Sequence, residues 1–213
     1  MELILSLIYL VLIVMIVALI GKEGLWSNTV TLVNVVTAAL LATNFWEPMT
    51  RWSDSQFPSM VHVADFLIIW SLFALFYTAM RALTDLASKL RVRFPNALNQ
   101  AGGFLMAAVV GWVIVCFLGM TLHMAPLARE FMGGMWQAEK PSMFGLSPDR
   151  QWLGFMQKES LGAFSRLTPA DDPEGRVFDP RGEFLAKYAA RRQILEKQPG
   201  LRAVPSLGGP AKK

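Results

Sequence analysis

Eighteen residues from Leu3 to Ile20 pass without a charge or a proline. A helix needs about 20 apolar residues to cross roughly 30 Å of hydrocarbon, so this run predicts a spanning helix over 3–20. A cleaved leader would need a positive start and a small-x-small site. The chain opens Met1-Glu2 and has no such site before Gly21-Lys22, so the segment is expected to be kept. A second segment, 26–46, is less apolar but patterned. Ser27, Thr31, Asn34, Ala38 and Ala42 recur at spacings of 4, 3, 4 and 4, on one helical face. Small and polar residues mark the face that a helix in lipid turns toward other helices. Asn34 is therefore expected to make an interhelical hydrogen bond rather than line a pore. Trp26 and Trp46 are expected in the aromatic belts at the two ends.

A loop with Pro48, Asp54 and Pro58 should lead to a third span over 61–83. Asp65 and Arg81 lie near its ends, where snorkelling to the interface is expected. An amphipathic extension should continue to Arg93 before Pro95 stops it. The fourth span, 101–124, carries Gly103, Ala107 and Gly111 four residues apart and Gly119 eight further on. This stripe lets another helix approach closely, and the expected partner is the Ser27, Thr31, Asn34, Ala38, Ala42 face. These five positions, with Gly103, Ala107 and Gly111, are the candidate packing residues. Cys116, inside this apolar span, should behave as a small hydrophobe.

After Pro126 the pattern breaks. Residues 126–147 read as a linker with one short interfacial helix around Phe131 and Trp136. Helices are expected over 148–166, with Trp152, Phe155, Met156 and Leu161 as apolar surface, and over 181–197, before a disordered end. The predicted class is all-α: a four-helix membrane bundle over 1–125 and a polar tail over 126–213 with two short helices.

Composition sharpens this. Of 213 residues, 54% are hydrophobic and 17% charged, against about a quarter charged in soluble domains. One cysteine excludes a disulfide scaffold and a multi-cysteine metal site. Residues 1–125 carry six basic and six acidic side chains, and the tail holds the whole net charge of +4. Its bases are interleaved with acids, so a pI near 9.4 does not imply nucleic-acid binding. If the connection between spans three and four is cytoplasmic, the inside set is Lys22, Arg81, Lys89, Arg91 and Arg93, against Arg51 and Arg129 outside. That excess places both termini outside the cytoplasm.

The chain has no G-x-S-x-G, H-E-x-x-H, Walker A or dinucleotide fingerprint. His62 and Asp65 could share a helical face, but two ligands do not make a metal site, and His123 belongs to another segment. No catalytic residue, cofactor or metal is expected.

The turn Gly21-Lys22-Glu23-Gly24 and the opening Asn99-Gln100-Ala101-Gly102-Gly103, with its stripe through Ala107 to Val110-Gly111, carry a family resemblance. Over residues 1–125 the sequence resembles the colicin V production protein (CvpA) family of bacterial inner-membrane proteins. Asn99-Gln100 stand where that family typically has Asp-Arg, and Val110 where it has Arg. The resemblance implies a multi-pass inner-membrane protein, linked to toxin (colicin V) production or export, with no cofactor. The expected role is a non-enzymatic accessory to export or envelope homeostasis. Its partners would be the lipid bilayer, a membrane or envelope protein met through the tail, and a second copy in a homo-oligomer. A small oligomeric transporter or channel subunit is the alternative, and a membrane enzyme ranks last.

Overall fold

The computed structural model describes residues 2–57, 61–87, 92, 94–125, 141–166 and 174–197. Within them the chain is helical, with no strand. The elements are α1 (Glu2–Ile20), a 3-10 turn (Gly21–Glu23), α2 (Leu25–Gln56), α3 (Val61–Ala87), α4 (Asn96–Met124), α5 (Pro148–Ser160), a second 3-10 turn (Glu174–Arg176) and α6 (Phe184–Lys197). The first four helices are long and apolar enough to cross a membrane.

Their outward faces have the character that lipid demands. On α1, Leu3, Leu7, Val11, Val14 and Leu19 are exposed, whereas Leu5, Ser6 and Tyr9 are buried. On α3, Leu67, Leu75 and Leu83 are exposed while Asp65 and Ile69 are buried. So much exposed apolar surface would be untenable in water and suits hydrocarbon.

Packing order differs from chain order. α1 lies along α4, α4 along α2, and α2 along α3. The tight turn between α1 and α2 thus delivers the chain past the slot that α4 fills. That turn is fixed by Gly24 at φ 96°, a conformation costly for any residue with a Cβ. The Asn99 side-chain oxygen accepts the Leu25 N–H at 3.0 Å. Asn28, fully buried, donates from Nδ2 to the carbonyls of Ile20 and Gly103, both at 2.9 Å.

Several expectations need correction. α2 does not stop at Trp46 but runs through Pro48 to Gln56. Proline removes a backbone hydrogen bond, yet the extra turns are held by Glu47–Arg51 at 3.0 Å and by Arg166 on Glu47. Trp46 is no belt residue: at 4% exposure it lies beneath Phe184 and Tyr188, with ring centroids 6.1 and 6.2 Å away. Asp65 does not snorkel; it is 2% exposed and ion-paired with Arg191. α4 begins at Asn96, five residues before the expected start, with Pro95 as its cap. α5 ends at Ser160, and Leu161 points out at 71% exposure. α6 starts at Phe184 rather than Arg181, because Asp179 caps it by accepting the Glu183 and Phe184 N–H groups at 2.8 and 3.2 Å. Of the extension to Arg93, α3 supplies the part to Ala87, and Val92 is not helical. The rest of it, the helix near Phe131 and Trp136, and the end after Lys197 lie outside the described residues, as does the side chain of His62.

The two apolar clusters join bundle to tail. In the larger, Phe117 of α4 meets Trp70, Phe73 and Trp152 at centroid distances of 5.4, 5.1 and 5.5 Å. In the smaller, Leu5 and Tyr9 of α1 pack with Val115 and Met143. The described part of the tail is therefore part of the folded core, not an appendage.

Candidate functional site

Gly103 and Gly111 of the α4 stripe stand against the α1–α2 turn and α1 rather than the expected polar face of α2. A Cβ on Gly103 would stand 2.8 Å from the Gly21 carbonyl oxygen and 3.0 Å from the Gly24 Cα, in the turn. One on Gly111 would stand 3.3 Å from the Ile13 Cα of α1. Ala107 lies between them, fully buried. The glycines thus seat α1 and its turn. Two faces of small residues are alike to periodicity, and the turn geometry decides which one α4 receives.

The α2 face is divided among neighbours. Asn34 donates from Nδ2 to the Thr84 hydroxyl of α3 at 3.0 Å, the interhelical bond expected of it. Arg81 reaches the Thr31 hydroxyl at 3.5 Å and Asp85 at 3.2 Å. Ser27 turns back to donate to Glu23 at 2.8 Å. Ala38 and Ala42 are fully buried. Cys116 is 5% exposed in the larger cluster. A membrane-impermeant maleimide is expected to leave it unlabelled in intact membranes; ready labelling would reveal a water-filled path to the middle of α4.

The polar chemistry gathers where the tail meets the bundle. His123, at the end of α4, has Nε2 3.0 Å from Asp149 Oδ2, with both residues buried. Ser142 donates its hydroxyl to Asp149 Oδ1 at 3.0 Å. Burial alone would raise the Asp149 pKa. The His123 hydrogen bond and charge, the Ser142 hydroxyl and a backbone N–H outweigh it and hold the carboxyl below its ordinary value of 3.8. Serine, histidine and aspartate do not form a nucleophilic relay here. The hydroxyl proton is given to the carboxylate, not to an imidazole base, so this geometry suits docking rather than acyl transfer. Close by, Trp152 donates to the Thr43 hydroxyl at 3.3 Å and Trp112 to Gln151 at 3.2 Å.

A second locus opens between α2 and the tail: a cavity of about 900 Å³. Leu41, Phe45 and Trp46 line it from α2, and Phe164, Phe178 and Phe184 from the tail. Arg166 bridges its walls, donating to Glu47 while its guanidinium lies 5.4 Å over the Phe178 ring.

Neither locus could be found from the sequence. Asp149 and Glu47 look like ordinary surface acids there. Their partners lie 26 and 119 residues away, with no spacing to announce them.

The family model described as Colicin V production protein matches residues 5–140. This is most of the chain, and it reaches beyond the 1–125 over which the sequence resemblance was read. No curated protein and no solved structure matches.

Proposed function

This chain belongs to the colicin V production protein family and is a membrane protein, and from that premise we propose a non-enzymatic accessory role in toxin export or envelope homeostasis. It sits in the bacterial inner membrane with both termini outside the cytoplasm. There the folded tail offers a surface to a membrane or envelope partner, and a homo-oligomer is compatible with the same arrangement. The observation that carries this reading is the docked tail. The pairs His123–Asp149, Glu47–Arg166 and Asp65–Arg191 tie it to the one end of the bundle where α2 and α4 finish and α3 begins. A segment fixed in this way holds one shape toward the solvent, as a recognition surface requires. The channel alternative would want a wet Asn34; its side chain is fully buried and bonded to Thr84.

Two measurements test the proposal. A reporter fused after Lys213 is expected to be active outside the cytoplasm and one inserted near Asn96 inside; the reverse pattern would overturn the orientation. In a host lacking the protein, export of a colicin V-like peptide should be restored by the full chain. Asp149→Asn and Asp65→Asn should restore it in proportion to the folded protein in the membrane. A variant of normal abundance and no export would argue for chemistry at that residue and against an accessory role.

A further inference from the structure

The cavity between α2 and the tail holds a set of unmet hydrogen-bonding groups. Trp46 Nε1, Arg166 Nε and Asn44 Oδ1 are all buried and have no partner among the described residues. All three residues line this cavity. Leaving a buried polar atom unsatisfied is costly, and buried polar atoms are normally paired. Three in one wall indicate a missing partner. Two are N–H donors and one is an acceptor, so the partner carries both acceptor oxygens and a donating hydroxyl.

Position narrows the class. Leu41 and Phe45 lie within a helix long and apolar enough to span a bilayer, and Phe45 is 49% exposed. Arg51 stands ten residues beyond Leu41, about 15 Å along the helix at 1.5 Å per residue. Across that distance the cavity changes from aromatic and aliphatic to cationic. Its charged lining is Arg51, Arg166, Arg181 and Lys187 against Glu47, Asp179 and Glu183. Glu47 is shared by Arg51 and Arg166, and Asp179 is occupied by the α6 N–H groups. An apolar floor on a helix able to span the bilayer, with a cationic rim further along the same helix and on the tail, is the profile of an amphiphile with an anionic head.

We propose that this cavity binds one anionic glycerophospholipid. The phosphate lies against Trp46, Arg166 and the cations of the rim, a glycerol hydroxyl meets Asn44, and an acyl chain runs over Leu41 and Phe45. These atoms are sealed in the wall, so binding requires the lining side chains to turn toward the lipid. The site would anchor tail to bundle through the lipid as well as through protein contacts.

The test uses the full chain, purified in mild detergent and titrated with phosphatidylglycerol or phosphatidylcholine, with retained lipid counted by native mass spectrometry. One phosphatidylglycerol should be retained at least 10-fold more strongly than phosphatidylcholine. Lys187→Glu should weaken that preference several-fold without changing the unfolding temperature, since its side chain is exposed. Trp46→Phe, which keeps the ring and removes the donor, should weaken retention several-fold. Equal retention of the two lipids, or an unchanged preference in the charge-reversed variant, would overturn the proposal. So would displacement of phosphatidylglycerol by millimolar inorganic phosphate or glycerol phosphate, which would make the cavity a site for a soluble phosphate instead.

Discussion

His123→Ala is expected to undock α5 from the bundle, because it strands a carboxylate where no water can reach it. Asp149 is 5% exposed and keeps only the Ser142 hydroxyl and backbone donors once the imidazole is gone. Removing one member of a buried charged pair costs about 3–5 kcal/mol. At 1.4 kcal/mol per decade, hydrogen exchange of the α5 amides should accelerate on the order of 10²–10³-fold. Asp149→Asn leaves no stranded charge and should cost less, about 1.5–3 kcal/mol for a lost charge-assisted bond. The two changes should be strongly non-additive in a double-mutant cycle. The pH dependence has a definite sign. A carboxyl whose folded pKa is depressed contributes fully above its ordinary value and loses that contribution as pH falls through the folded value. The gap between the native protein and Asp149→Asn should therefore be widest near neutral pH and close below about 3.8. A gap constant from pH 7 to 3 would show that the carboxylate does not secure the tail.

Gly103→Ala should be the most damaging single methyl group on the α4 stripe. Its new Cβ would meet the Gly21 carbonyl oxygen at 2.8 Å and the Gly24 Cα at 3.0 Å, both backbone. Neither can rotate away, and Gly24 is already fixed at φ 96°. Overpacking of this kind costs about 1–3 kcal/mol. For a chain of this size that is several degrees in unfolding temperature. Gly111→Ala meets Ile13 at 3.3 Å, where the helix can shift by a few tenths of an ångström, so it should cost less. Val109→Leu, at a position 36% exposed, should cost least. Equal melting of all three in mild detergent would mean that α1 and its turn are not held by the stripe.

The four spans were legible because lipid imposes a length and an apolar composition on each, and a sequence displays both. The glycines of α4 were legible as places of close approach. Which surfaces approach each other was not. Gly111 seats Ile13 rather than the α2 face, a choice made by the order α1–α4–α2–α3 and not by any local pattern. The burial of Asp65 and Trp46 was hidden for the same reason. Each is covered by α6, and Arg191 is 126 residues from Asp65. Pro48 misled because its local rule is sound, but side chains of the tail hold the helix beyond it. Local signals locate helices; the junction with the tail is made of distant pairs.

The helix order also sets a timetable for biogenesis. α1 leaves the ribosome roughly 90 residues before the α4 surface that receives it, about 5–20 s at ordinary rates of synthesis. During that interval it must rest in the bilayer alone, and its uncharged run from Leu3 to Ile20 makes it able to. α2, which carries Asn28 and Asn34, is followed directly by α3, so Asn34 soon finds Thr84. Asn28 must wait for the Gly103 carbonyl. The late arrival of α4 therefore makes its insertion the step that closes the membrane domain, and the tail can dock only afterwards.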